Sequence, residues 1–150
     1  ADATGQRLHG ARACLEQHGI PWKQDLFEDC DFTLHKAWRA TNALLASNQP
    51  FTALIAMSDT VAMGAAKALF DHGIRVPDDV SLVGFDGIEQ GRYCTPSLAT
   101  MRQPSEEMAQ AAVQLLEEMT RGEDGRHMVL AAQWLEGGSV APVNAADGIS

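Results

Sequence analysis

Two apolar runs constrain this chain more than any other feature: "FTALIAM", residues 51–57, and "VSLVGF", residues 80–85. Each is almost continuously hydrophobic rather than alternating, and partly β-branched, which suits a strand buried on both faces of a parallel sheet. Between them, "SDTVAMGAAKALFDHG" has the spacing of a helix. Ser58 or Asp59 can cap its start, Ala62, Ala65, Ala66 and Leu69 form its inner stripe, and Gly73 stops it. "IRVPDDV" then turns the chain back. Strand, helix and strand joined this way make a right-handed βαβ unit, so the fold class is α/β with an open, doubly wound parallel sheet.

The flanking segments extend this pattern. "RLHGARACLEQH", residues 7–18, sets Leu8, Ala11 and Leu15 on one helical face before a stop at Gly19. "QDLFEDCDF" has a short extended reading. Thr33 can then cap a helix in which Ala37, Thr41, Leu44 and Leu45 share a stripe, ending at Asn48–Pro50. After Gly87 the chain is loop-like, and "LATM" suits a short strand. "SEEMAQAAVQLLEEMTRG" is a helix from Ser105, with Glu106 and Glu107 at its positive end and Met108, Ala112, Leu115 and Met119 along one face. "HMVLAAQWLEGGSV" reads as one strand or a bent pair, and "NAADGIS" as a frayed end. At 150 residues and 45% hydrophobic, the chain can build one core.

In an open α/β sheet, ligands sit outside the carboxyl ends of the strands. Asp86 stands at such a lip, between Phe85 and Gly87, and Ser58 and Asp59 occupy the matching lip of the neighbouring strand. A strand-end aspartate serves equally well to turn the chain. Several chemistries are disfavoured. Eleven Lys and Arg against twenty Asp and Glu give a net charge of −9, which repels a phosphate backbone. Neither GxGxxG nor GxxxxGK[ST] occurs, nor GxSxG, HExxH or an EF-hand loop, so no cofactor is expected. Cys14 with His18, or Cys30 with His35, lacks a second pair to complete a metal site. The three cysteines read as free, buried structural thiols in a reducing compartment. No apolar stretch is long enough to span a bilayer, and the first residues do not resemble a signal peptide, so a cytoplasmic location is expected.

The run "ALIAMSDTVAMGAAKALFDHGIRVPDDVSLVGFDGIEQGRYCTPSLATMRQP" resembles the effector-binding region of the LacI/GalR family of bacterial transcription regulators. It carries SDxxAxGxxxAL, then VPxDVSxVGFD, then TPxLxTxxQP, in that order, and "RLHGARACL" is similar to a further helix of the family. The resemblance covers roughly residues 7–140. It implies a periplasmic-binding-protein-like module of two lobes behind a helix-turn-helix headpiece. This sequence then corresponds chiefly to the second lobe, with the 103–121 helix packing toward the first and operator DNA reached only through the headpiece.

By that resemblance, Arg7, Phe32, Ser58 and Asp86 face a sugar-like or nucleoside-like effector: a guanidinium to donate, a carboxylate to accept from hydroxyls, and an aromatic face for C–H groups. Asp59 is expected to cap its helix. A homodimer is also implied, with Trp38, Arg92 and Tyr93 at the contact. Two rival readings are a periplasmic sugar-binding protein and an α/β enzyme, the latter lacking any nucleophile with its base. In the family a strand precedes the helix near Arg7, and the residues before that helix here are too polar and small to form it. A gap is therefore expected between 26–30 and 51–57, to be filled by 126–135, a neighbouring chain or an upstream piece.

Overall fold

The computed structural model describes residues 3–143. The 144–150 segment, where fraying was expected, lies outside them. The helices are α1 (Ala3–Gln17), α2 (Leu34–Ala46), α3 (Asp59–Asp71) and α4 (Ser105–Thr120), and the strands are β1 (Ala53–Ile55), β2 (Ser81–Asp86), β3 (Ala99–Arg102) and β4 (Gln133–Leu135). The sheet order is β1-β2-β3-β4. β1 and β3 flank β2 in parallel, with Leu54 beside Leu82 and Gly84 beside Thr100, and β4 runs antiparallel to β3.

Local chemistry explains the boundaries. The Thr33 side chain accepts a hydrogen bond from Lys36 N and Ser58 accepts one from Val61 N, each filling an orphan donor of a first helical turn. Asn48 takes φ 54° behind α2, and Gly73 takes φ 71° behind α3. α2 and α3 pack together. A Cβ on Gly64 would meet Ala37 Cβ at 2.7 Å and collide with the Leu34 carbonyl, so a glycine lets the two helices approach. The core lies between α3 and the sheet, where Ala62, Ala65, Ala56, Leu82 and Leu98 cluster. Leu69, Leu82 and Val80 are almost fully buried, each worth about 1.5–3 kcal/mol of transfer free energy. Buried Ser139 ties the C-terminal segment down: its hydroxyl donates to Leu82 O at 2.6 Å and accepts from Ala99 N at 2.8 Å.

Four expectations need correction. α1 begins at Ala3, four residues before Arg7, because Ala3 and Gln6 favour the helix and it carries Thr4 and Gly5 despite their poorer propensity. Residues 26–30 form no strand: a single 3₁₀ turn, Gln24–Leu26, leads into backbone with no strand beside it to pair with. Of 126–135 only Gln133–Leu135 is a strand, and it lies on the far side of β3, so it does not fill the gap. No cysteine is fully buried. Cys14 is exposed because it sits on an outer position of α1, a helix that buries no residue, while Cys30 and Cys94 are half-buried and free. Burial and the charges of Asp29, Asp31 and Glu28 push the Cys30 thiol pKa up, and burial with Asp59 does the same at Cys94, so neither is an activated thiolate. β1 pairs only with β2 among the described residues, and its opposite edge is open.

Candidate functional site

The carboxyl ends of β1 and β2 bring two distant parts of the chain together. Asp86, the last residue of β2, has φ 118°, a conformation that costs a non-glycine residue free energy and survives only where its neighbours enforce it. Those neighbours are identifiable. Gly87 follows at φ 74° and lies against Arg102, where a Cβ would come within 2.6 Å of the Arg102 side chain. Gln103 N donates to Asp86 O at 3.1 Å, and Gln103 Nε2 donates to Asp86 Oδ1 at 2.6 Å.

Arg7 reaches the same place from α1. One guanidinium nitrogen donates to Met57 O at 2.7 Å, and the other lies 3.7 Å from Asp86 Oδ1. The guanidinium stacks 3.8 Å above the Phe85 ring, a favourable placement for a cation on an aromatic face. The Arg7 and Asp86 side chains are 21% and 30% exposed, so the pair is mostly covered by protein and partly open to solvent. Asp86 Oδ1 is engaged by Gln103, and no hydrogen bond to Oδ2 occurs among the described residues.

Ser58 sits one residue beyond Met57, 4% exposed, with its oxygen accepting from Val61 N. A hydroxyl that accepts in this way keeps its own hydrogen to donate. Phe32 is 48% exposed and lines a cavity of about 740 Å³ beside β1 that also reaches Met57, Leu8 and Cys30. Arg7 and Asp86 are thus in direct contact, Ser58 is adjacent through Met57, and Phe32 lies on the wall of the neighbouring cavity.

Asp59 corrects the sequence reading. Ser58 is the cap, and Asp59 is fully buried in the first turn of α3, accepting from Thr100 Oγ1 at 2.5 Å and from Ile88 N at 2.8 Å. It fastens the loop after Asp86 to α3 and β3. Gly84 leaves room for it, since a Cβ there would collide with the Asp59 carboxylate. Gln103 is the other residue at this lip that residue-by-residue reading missed, although it lies inside the TPxLxTxxQP segment.

The expected contact residues lie elsewhere. Trp38 stacks on His35 with ring centroids 5.9 Å apart, and its Nε1 donates to Asp71 Oδ2 at 2.9 Å. Tyr93 is 79% exposed, Arg92 is exposed beside it, and Phe70 on the outer face of α3 is 77% exposed. α4 buries no residue, and Met108, Val113, Leu116 and Met119 stand open on it. Among the described residues no group of three or more His, Cys, Asp or Glu could hold a metal ion, and no helix is long and apolar enough to cross a membrane.

Comparison with known proteins gives this geometry a context. Residues 1–140 match the periplasmic binding protein-like domain family. The HTH-type transcriptional regulator MalR of Clostridium butyricum is 35% identical over 131 residues, 87% of this chain and 39% of that protein. The structure of a sugar-binding LacI-family transcriptional regulator from Escherichia coli, complexed with phosphate, superposes with a TM-score of 0.86 at 32% identity, over 95% of this chain and 52% of that one. A complex of the transcriptional regulator CelR with cellobiose superposes with a TM-score of 0.85 at 29% identity, over 89% of this chain and 41% of the other. The chain spans about two fifths of the length of such curated relatives. A βαβ sheet with its charged lip at the strand ends, together with a family match over nearly the whole chain, leads to one assignment: this chain belongs to the periplasmic binding protein-like family, in the form carried by LacI-family transcription regulators.

Proposed function

We propose that this chain is the effector-binding and dimerisation module of a sugar- or nucleoside-responsive transcriptional repressor. One observation carries the reading: Asp86 is held in a strained backbone at the lip of β2, with Arg7 and Gln103 on one carboxylate oxygen and no hydrogen bond to the other among the described residues. A carboxylate fixed in this way accepts from the hydroxyls of a polyol, while Arg7 and the Ser58 hydrogen donate to its oxygens. Phe32, on the wall of the neighbouring cavity, offers an aromatic face for the apolar C–H groups of the ring.

The ligand changes DNA binding only by favouring one arrangement of two lobes over another. The open face of α4, with Val113, Leu116 and Met119 more than half exposed, supplies a surface for the first lobe. Homodimerisation places Trp38, Arg92 and Tyr93 at the contact, with operator DNA bound by a headpiece outside this chain and the protein working in the cytoplasm. A transport protein is the weaker alternative, because the similar proteins named above are regulators.

Calorimetric titration of the intact regulator with a panel of mono- and disaccharides and nucleosides tests this reading. One member binds saturably, and Asp86→Ala weakens it by about 10- to 150-fold, the equivalent of the ~1.5–3 kcal/mol lost with a charged hydrogen bond. Unchanged affinity in the variant overturns the assignment.

A further inference from the structure

Phe85 precedes Asp86 in β2, is half-buried, and has no part in the hydroxyl chemistry assigned to its neighbour. Adjacent residues of a regular strand point to opposite faces of the sheet. Gly84 faces α3, since a Cβ there would collide with the Asp59 carboxylate. Phe85 therefore faces the other side, where Arg7 arrives from α1 with its guanidinium carbon 3.8 Å from the ring centroid. The φ of 118° at Asp86 interrupts the alternation, and Asp86 Oδ1 comes beside the same guanidinium that the Phe85 ring carries. Packing of a core does not account for the ring's place, because α1 buries no residue; what covers it is a cation.

We propose that Phe85 is a positioning residue of the effector site, acting through Arg7, a role that rests on the reading of Arg7 and Asp86 as effector contacts. The other two contacts of the guanidinium do not fix its plane. Nη1 donates to Met57 O at 2.7 Å, and a single hydrogen bond leaves the group free to turn about it. Nη2 lies 3.7 Å from Asp86 Oδ1, beyond the ~3.2 Å of a good N–H···O bond, so its hydrogens remain for a ligand oxygen. The aromatic face supplies the missing constraint: a flat cation on a flat ring keeps one plane, with Nη2 aimed along the lip. An arginine side chain loses much rotamer freedom when it is ordered. Ordering it on Phe85 before the ligand arrives removes that loss from the binding step. An aliphatic side chain fills the same space without the electron-rich face that attracts the cation.

The test is calorimetric titration of the intact regulator with the panel of saccharides and nucleosides described above, in four variants. For a panel member that Asp86→Ala weakens, Phe85→Leu and Phe85→Met lower affinity by about 5- to 30-fold, while Phe85→Tyr, which keeps the ring, stays within about twofold of the unsubstituted protein. In an Arg7→Met background, Phe85→Leu changes affinity by less than about twofold, because the group it positions is gone. Without any panel compound, the Arg7 Nε–H resonance lies upfield over the ring in the unsubstituted protein and in Phe85→Tyr, and moves downfield in Phe85→Leu. Full affinity in Phe85→Leu and Phe85→Met, equal losses in the tyrosine and leucine variants, or a loss undiminished in the Arg7→Met background overturns the role of Phe85 and leaves the Asp86 site standing. A panel in which no compound is weakened by Asp86→Ala overturns the reading of the site itself, and the role of Phe85 with it.

Discussion

Replacing Asp59 tests whether the lip of the sheet is fastened from beneath. The carboxylate is fully buried and accepts from Thr100 Oγ1 and Ile88 N, at 2.5 Å and 2.8 Å. Asp59→Ala removes both acceptors and leaves a buried hydroxyl and a backbone N–H without partners. A hydrogen bond to a charged group contributes about 1.5–3 kcal/mol, so two that share one carboxylate amount to about 3–5 kcal/mol. With a urea slope of about 2 kcal/mol/M, the unfolding midpoint falls by about 1.5–2.5 M. Asp59→Asn is the sharper comparison. Its oxygen keeps the bond from Ile88 N, and its amide donates to Thr100 Oγ1 once that hydroxyl turns round, so both contacts survive without the charge. Its expected loss is about 1 kcal/mol. Urea denaturation followed by circular dichroism measures both. If the alanine variant loses less than about 1 kcal/mol, or if the two variants lose equal amounts, the fastening role of Asp59 is refuted.

Other expectations follow from the same contacts. Gly64→Ala forces a Cβ against the Leu34 carbonyl and Ala37, and thermal unfolding should show a loss of about 1–3 kcal/mol. Ser58→Ala removes the cap of α3 and costs about 1 kcal/mol by the same measurement. Hydrogen bonds from Lys67, then Trp38, hold the Asp71 carboxyl below its ordinary value of 3.8. Because the folded pKa is the depressed one, the stabilisation is complete above the unfolded pKa and is lost as pH falls through the folded one. NMR titration of the Trp38 indole N–H should therefore show a midpoint below 3.8, and Trp38→Phe should move the Asp71 carbon titration upward.

The parts of the fold that depend on local chemistry were readable from residues alone. Thr33 and Ser58 cap the helices whose stripes follow them, and the two apolar runs became neighbouring parallel strands. Asp86 at a strand lip was equally visible, since the strand ends where its apolar run does. What depends on partners far along the chain was not. Nothing in "SD" distinguishes a capping aspartate from one that reaches Thr100, 41 residues away, so Asp59 was given the role of its neighbour. Gln103 bonds Asp86 across 17 residues, a pairing set by the register of β2 and β3 rather than by local pattern. Residues 26–30 show the reverse failure: their extended tendency is real, but a strand exists only with a partner, and their open edge faces a cavity. Cys14 and Cys30 followed composition poorly because α1 and the segment after it bury little.

The central claim is that a polyol binds at the Asp86 carboxylate, beside Arg7 and Gln103. Its most direct measurement follows the Gln103 side-chain amide and Arg7 Nε–H resonances of the intact regulator during titration with the saccharide or nucleoside selected by calorimetry. The account predicts that both signals shift together and saturate at the calorimetric Kd, and that neither shifts in Asp86→Ala at the same ligand concentration. Saturable binding that leaves both resonances in place would contradict it.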